Sequence, residues 1–264
     1  MALNGLYSIH LELTSKCNKQ CWMCGRRKAE KENPKLLKSY GNMDFELVKT
    51  LSEQIPDGTL VQFHNNGEPL LYPKFKEALK LFKGKIRHFD TNGKLLLKRV
   101  NDIVGNCEAL TISTFPKDEN FEEQYEILKR FLYIKGDEFP RVMIRFTGHP
   151  APKKWVDLKC IIVDRVLHDP MGSFLYEKKV VIPETGICQE ILNHLAIDRF
   201  GNVYPCVRFD PEKKGILGNI NDNTLDEIWN GKQRKKWIEY HIAGRRETIP
   251  FCNKCEYWGI PRSL

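Results

Sequence analysis

The chain has 264 residues, 41% of them hydrophobic and 29% charged, with a net charge of +8 at pH 7 and nine cysteines. That length fits one large domain, or a medium domain with an appendage. No apolar run approaches the roughly 20 residues of a membrane span, and Met1–His10 lacks the basic, apolar and small-residue succession of a signal peptide, so a cytoplasmic protein with no membrane partner is expected.

An odd cysteine count with close spacings argues against a disulfide framework and for reduced thiolates as metal ligands. The basic residues are dispersed: Arg26, Arg27 and Lys28 lie near the first cysteines, and Lys232, Arg234, Lys235 and Lys236 near the end. No RNA-binding motif with interleaved aromatics accompanies them. The charge reads as a solvated surface, with an anionic substrate or partner as the lesser alternative and nucleic acid disfavoured.

In chain order, the pattern predicts a strand at Tyr7–Leu13, a helix at Met43–Ile55 from the spacing of Phe45, Val48 and Leu51, and a strand at Leu60–His64. A helix at Phe75–Phe82, a strand at Ile86–Asp90, a helix at Leu95–Val104 and a strand at Ala109–Thr114 follow. Then come a helix at Phe121–Phe131 and strands at Arg141–Phe146 and Ile161–His168. Repeated strand–helix units imply a parallel sheet, open or closed into a barrel. Pro150 and Pro152 leave room only for a short helix at Lys153–Asp157, so the barrel is expected to be incomplete. After about Gly172 the pattern changes. Short strands at Leu195–Ile197 and Val203–Tyr204, and helices at Leu225–Trp229 and Arg234–Ala243, predict a second, smaller unit. The expected division is 1–172 and 173–264.

Cys17, Cys21 and Cys24 form C-x3-C-x2-C directly after the first strand. Three thiolates hold three irons of a [4Fe–4S] cube and leave the fourth open, whereas a fully protein-bound cube and a structural zinc site each need four ligands. The next cysteine is Cys107, and no histidine follows Cys24 closely. A zinc loop completed by a distant residue is the alternative. The loop resembles the signature of the radical S-adenosylmethionine (SAM) superfamily. That resemblance implies a partial (β/α)6 barrel, SAM chelated to the open iron, and reductive cleavage of SAM to a 5′-deoxyadenosyl radical. It also implies a flavodoxin- or ferredoxin-type electron donor. The residue before the third cysteine, which packs near adenine and is aromatic in most of the family, is Met23 here. A thioether also packs against a ring.

Companion motifs extend the resemblance. Asn66-Gly67-Glu68-Pro69 follows the second strand and is similar to the family's GGEP turn, which bonds the SAM amino group; Asn66 replaces the first glycine. A carboxylate and carbonyls suit an ammonium. Thr91-Asn92-Gly93 is similar to another family turn near SAM, which brings in Asn92. Ser113 sits where the family has a polar SAM contact, and Arg145 is placed to pair the SAM carboxylate or a substrate anion.

The strands alternate in polarity. His10 and Glu12, Gln62 and His64, His88 and Asp90, Thr111 and Ser113, and Arg145 each alternate with apolar neighbours. Period two puts the polar set on one face. A wet lumen holding SAM and a polar substrate accounts for that face, because an unpaired buried polar group costs about 1–3 kcal/mol; an open sheet with one face in water is the alternative. His10, Glu12, Gln62, His64, His88, Asp90 and Asp169 are the substrate candidates, and Glu12, Arg145 and His168 the catalytic ones.

Cys188, Cys206, Cys252 and Cys255 form a second set, in a strand, turn and helix context. Four thiolates close a site that holds either a [4Fe–4S] cluster or zinc. This region resembles the C-terminal part of SPASM/twitch radical SAM proteins and implies a small α+β auxiliary domain with one [4Fe–4S] cluster. Length and layout are similar to those of cyclitol-dehydrogenating members. The expected reaction is hydrogen abstraction from a small polar, sugar- or cyclitol-like substrate, ending in oxidation or epimerisation. Peptide modification is the alternative activity, disfavoured because no leader-binding domain precedes the first strand. A metal-binding interaction module is the non-enzymatic alternative.

Overall fold

The computed structural model describes residues 3–165, 187–208, 210, 212–253 and 255. In chain order its elements are β1 (Ser8–Leu11), α1 (Arg26–Glu32), α2 (Leu36–Ser39), α3 (Phe45–Gln54), β2 (Leu60–Gln62), α4 (Phe75–Leu81), β3 (Ile86–Thr91), α5 (Val100–Ile103), β4 (Ala109–Thr114), α6 (Phe121–Lys135), β5 (Arg141–Thr147), α7 (Lys153–Val156) and β6 (Ile161–Arg165). The C-terminal part adds α8 (Gln189–Asn193), β7 (His194–Ile197), β8 (Asn202–Tyr204), β9 (Gly218–Asn219), α9 (Leu225–Trp229) and α10 (Lys232–Ile242).

Strands β1 to β6 lie side by side in sequence order and are all parallel, with the helices as crossovers. This is the expected partial (β/α)6 barrel. Alternation along the strands sets its two faces. Ile9, Leu11, Val61, Phe89, Leu110, Ile112, Ile144 and Phe146 are fully buried toward the helices, and burial of this kind is worth about 1.5–3 kcal/mol per large side chain. Trp155 on α7 stacks on Phe121 and meets Phe146 edge-on, closing the core below β5.

Two expectations change. Over Leu95–Val104 only Val100–Ile103 is helical. Gly93 at φ +81° opens a series of turns that buries Leu96 and Ile103 without continuous helix. The second change concerns the sheet. Strand β7 pairs in parallel with β1, Ser8 opposite His194 and Leu11 opposite Ile197, and β8 and β9 continue antiparallel. The C-terminal hairpin therefore extends the barrel sheet to nine strands among the described residues. The division expected at 172/173 lies outside those residues. No described helix is long and apolar enough to cross a membrane.

Candidate functional site

The cysteine loop leaves the C-terminal end of β1 and is fastened on three sides. Glu68 N donates to Lys16 O at 2.8 Å, Asn92 Nδ2 to Asn18 Oδ1 at 2.8 Å, and Lys19 Nζ to Asp118 Oδ2 at 2.5 Å. Gly67 explains the close approach. A Cβ there would stand 2.0 Å from Thr14 O and 2.8 Å from Lys16 O, so only glycine lets the turn after β2 meet the loop backbone. Cys17 is exposed, and Cys21 and Cys24 are half-buried. Burial raises the Cys17 and Cys21 thiols, and Cys24 raises both further. Arg26 is buried beside them; it donates to Asn66 O at 2.7 Å and lies over the Tyr40 ring at 4.1 Å. Its charge acts favourably on both Cys17 and Cys24 thiolates. Three soft donors beside a fixed cation suit an anionic iron–sulfur cube with one open iron.

Of the expected SAM-contacting residues, Asn66, Gly67, Glu68 and Asn92 meet the cysteine loop or Arg26 directly. Glu68 is buried, and its carboxylate is already engaged. Oε1 accepts from Leu70 N (3.2 Å) and Thr91 Oγ1 (2.8 Å), and Oε2 from Asn92 N (2.8 Å). Burial nonetheless raises its pKa to about 7. Glu68 therefore ties two turns together as well as offering oxygen to a ligand. Pro69 starts a buried 3-10 turn. Met23, Ser113 and Arg145 are half-buried. Asn66, in the place of a glycine, reaches inward: its Nδ2 donates to Glu12 Oε2 at 3.0 Å.

Beneath the rim lies the polar face of the sheet. Glu12 is buried, and desolvation raises its pKa to about 7. Arg145 on β5 reaches past β4 to pair with Asp90 on β3, as the concave side of a curved sheet allows. His64 Nε2 stands 3.5 Å from Asp90 Oδ2 and His88 Nε2 3.4 Å from Asp90 Oδ1. The His64 and Arg145 charges help hold the Asp90 carboxyl below its usual range against burial, while desolvation lowers His10, His64 (to about 4) and His88. The lumen is thus lined by neutral imidazoles and one internally balanced ion pair. His64, His88 and Asp90 bring ligand atoms within 4.8 Å of one another. They are not a cation site. His64 Nδ1 accepts from Asp90 N at 2.9 Å, so in the neutral ring Nε2 carries the proton and has no lone pair to offer. Gln62 Nε2 lies 3.3 Å from His10 Nδ1. His168 and Asp169 lie outside the described residues.

Thr111, expected on the polar face, meets His88 Nε2 through Oγ1 at 2.9 Å. Sequence patterning missed two participants. Arg26 guards the loop. His194, one residue before the predicted strand, contacts His10 at 2.6 Å. Only a β7 placed beside β1 reveals it.

The second cysteine set surrounds a small core of Ile191, Trp237, Ile249 and Phe251, on which Cys188, Cys206 and Cys252 pack. Cys188 caps α8, and Cys206 follows β8. Cys188 and Cys255 each raise the Cys206 and Cys252 thiols, on top of burial. Arg246 Nη1 donates to the carbonyls of Cys252 and Cys255 at 2.5 and 3.1 Å. Zinc, with Zn–S near 2.3 Å, would draw tetrahedral sulfurs to about 3.8 Å of one another. Among the described residues no three cysteines have sulfurs within 4.8 Å of one another, a spread that suits a cube better than a single ion.

Comparison with known proteins bears on both ends of the chain. A family model described as SPASM, iron–sulfur cluster-binding domain, matches residues 188–256. The tungsten-containing aldehyde ferredoxin oxidoreductase cofactor-modifying protein of Pyrococcus furiosus is 30% identical over 94% of this chain and 86% of its own. The S-adenosyl-L-methionine-dependent 2-deoxy-scyllo-inosamine dehydrogenase of Niallia circulans is 23% identical over 94% and 91%. Among solved structures, BtrN in complex with AdoMet and 2-DOIA matches with a TM-score of 0.59 at 20% identity over 95% of this chain and 93% of that one. Streptococcus suis SuiB bound to S-adenosylmethionine matches at 0.64 and 13% identity over 96% and 71%.

Proposed function

Because the chain belongs to the radical SAM superfamily, in its SPASM/twitch-type branch, we propose that it removes hydrogen from a small polyol, a sugar or cyclitol, and oxidises an alcohol carbon to a carbonyl. The observation that carries this reading is the charge-balanced polar lumen under the cysteine loop. Arg145 is neutralised by Asp90, and the buried histidines are held neutral. Such a lining offers hydrogen bonds to hydroxyls without demanding an anion.

When bound, the cluster and SAM supply a 5′-deoxyadenosyl radical that takes the hydrogen atom. Cys17, Cys21 and Cys24 would hold that [4Fe–4S] cluster. Arg26 steadies their charge. The Asn66–Pro69 turn, Asn92, Ser113 and Met23 would cradle SAM. Asp90, Arg145, His88 and Gln62 would orient the polyol. Glu12, bonded to Asn66 and with its pKa raised to about 7, would be able to hold a proton beside the SAM turn. Cys188, Cys206, Cys252 and Cys255 would hold a closed auxiliary [4Fe–4S] cluster able to accept one electron but not substrate. A flavodoxin- or ferredoxin-type protein would supply the starting electron. The residues before and after about 172 would then divide the work: radical generation first, electron acceptance second.

A second reading, peptide modification, draws on two observations. SuiB bound to precursor peptide SuiA matches with a TM-score of 0.62, and β6 ends the described sheet with Ile161 and Val163 exposed. An edge strand accepts an extended peptide. The experiment incubates reduced, reconstituted enzyme with SAM and, in parallel, cyclitols including 2-deoxy-scyllo-inosamine and a panel of peptides. A cyclitol product two mass units lighter is expected. A modified peptide with untouched cyclitols favours the second reading, and intact SAM with both cubes present overturns both.

A further inference from the structure

A hydrogen-bonded chain leads out of the lumen floor. His10 Nδ1 stands 2.6 Å from His194 Nε2, and His194 Nδ1 pairs with the Glu190 carboxylate. Both rings are buried, whereas the Glu190 side chain is 44% exposed. A carboxylate accepts, so a neutral His194 carries its proton on Nδ1; its Nε2 is then a bare acceptor, and His10 donates from Nδ1. The Gln62 amide meets the same atom at 3.3 Å through Nε2, and turned by half a rotation it would accept from the same Nδ1–H through its oxygen. Neutral His10 is left with its lone pair on Nε2, and its hydrogen-bond contacts with His194 and Gln62 both run through Nδ1.

We propose that His10 is the catalytic base that accepts the substrate hydroxyl proton, and that His194 is the positioning residue that fixes its tautomer and relays the charge outward. The proposal rests on the dehydrogenation reading above. After hydrogen abstraction the substrate carbon is a radical bearing a hydroxyl. Its O–H bond breaks, the proton passes to His10 Nε2, and the Nδ1 proton of His10 passes to His194 Nε2. The unpaired electron would pass to the oxidant, the iron–sulfur cluster that Cys188, Cys206, Cys252 and Cys255 would hold, as the carbonyl forms. One proton and one electron are lost, which balances the oxidation of the radical to a ketone. The positive charge ends on His194, against the Glu190 carboxylate. Cys188 and His194 lie at the two ends of α8, so proton and electron leave toward the same module.

His10 is faced by His64 and Gln62 from β2 and its exit, His88 and Asp90 from β3, Arg145 from β5 and His194 from β7. Burial first, and then the neighbouring rings and Arg145, disfavour a lasting charge on His10, so a relay to His194 is what makes it a usable base. General bases of this kind contribute about 10²–10⁴-fold.

The experiment has two arms. In the first, the enzyme with oxidised clusters and 15N-labelled histidines is examined by long-range 1H–15N correlation. His10 and His194 are both expected as Nδ1–H tautomers, with His10 losing that preference in His194→Asn. A His10 protonated on Nε2 overturns the proposal without reference to turnover. In the second, ketone formed per 5′-deoxyadenosine is measured with 2-deoxy-scyllo-inosamine and myo-inositol. His10→Asn is expected to lower that ratio at least about tenfold. His194→Asn is expected to lower it less, at unchanged KM, and to shift the pH profile. Wild-type coupling in His10→Asn overturns the base assignment alone. Absence of ketone from the wild type with either polyol removes the reading beneath it, and the base with it.

Discussion

The two cysteine sets obey opposite designs. The first is three thiols on an irregular loop at the barrel rim, with Cys17 exposed and no apolar core of its own. The second is four thiols, of which Cys188, Cys206 and Cys252 pack on Ile191, Trp237, Ile249 and Phe251. An open rim leaves room for a small molecule to complete an iron's coordination, whereas a packed, four-thiol shell shuts it out. Coordination count and packing thus agree at each end of the chain.

The sharpest way to break this contrast is to exchange ligands. Cys24→Ser should lower 5′-deoxyadenosine formation at least about a thousandfold, because a cube left with two thiolates is not retained; iron analysis and nucleoside quantitation check it. Cys206→Ser should lower ketone formation about a hundredfold while iron falls from about eight to about four atoms per chain. If SAM cleavage falls as far as it does in Cys24→Ser, the division of labour is wrong.

Much of this was legible beforehand. C-x3-C-x2-C and Asn66-Gly67-Glu68-Pro69 are local, and their spacing carries their chemistry. The polar face was legible because strand periodicity is two, and Val142, Ile144 and Phe146 do point away from Arg145. What stayed hidden depends on long-range pairing. Nothing near His194 shows that it lies beside Ser8 and against His10. The Glu68 network was equally obscure, because Thr91 and Asn92 reach it only through the order of β2 and β3.

Smaller effects sharpen the rim's half of the contrast. Arg26→Gln should weaken iron retention about 10–100-fold, the usual cost of losing a group that supports metal ligands, read by chelator challenge. Gly67→Ala should cost about 1–3 kcal/mol from overpacking against Thr14 O, seen as a lower denaturation midpoint. The Glu12 effect is confined to a pH window and has a definite sign. Its pKa rises from the ordinary 4.5 to about 7 on folding, so between those values the native state holds a proton that the unfolded chain has released. Its contribution is fully present below pH 4.5 and is lost as pH rises through about 7, by about 3 kcal/mol at most. Glu12→Gln should therefore flatten the stability curve between pH 5 and 8 in urea titrations.

The seat of β7 beside β1 has a consequence for biogenesis. His10 and His194 are separated by 184 positions, yet their strands are neighbours. A ribosome emitting the chain from its amino end exposes one margin of β1 until nearly three-quarters of the polypeptide has been made. Because long-range pairing is slow and aggregation-exposed, truncation before β7 should leave an adhesive strand margin rather than an independent barrel, and the closing hairpin acts as the last stave that makes the vessel sound.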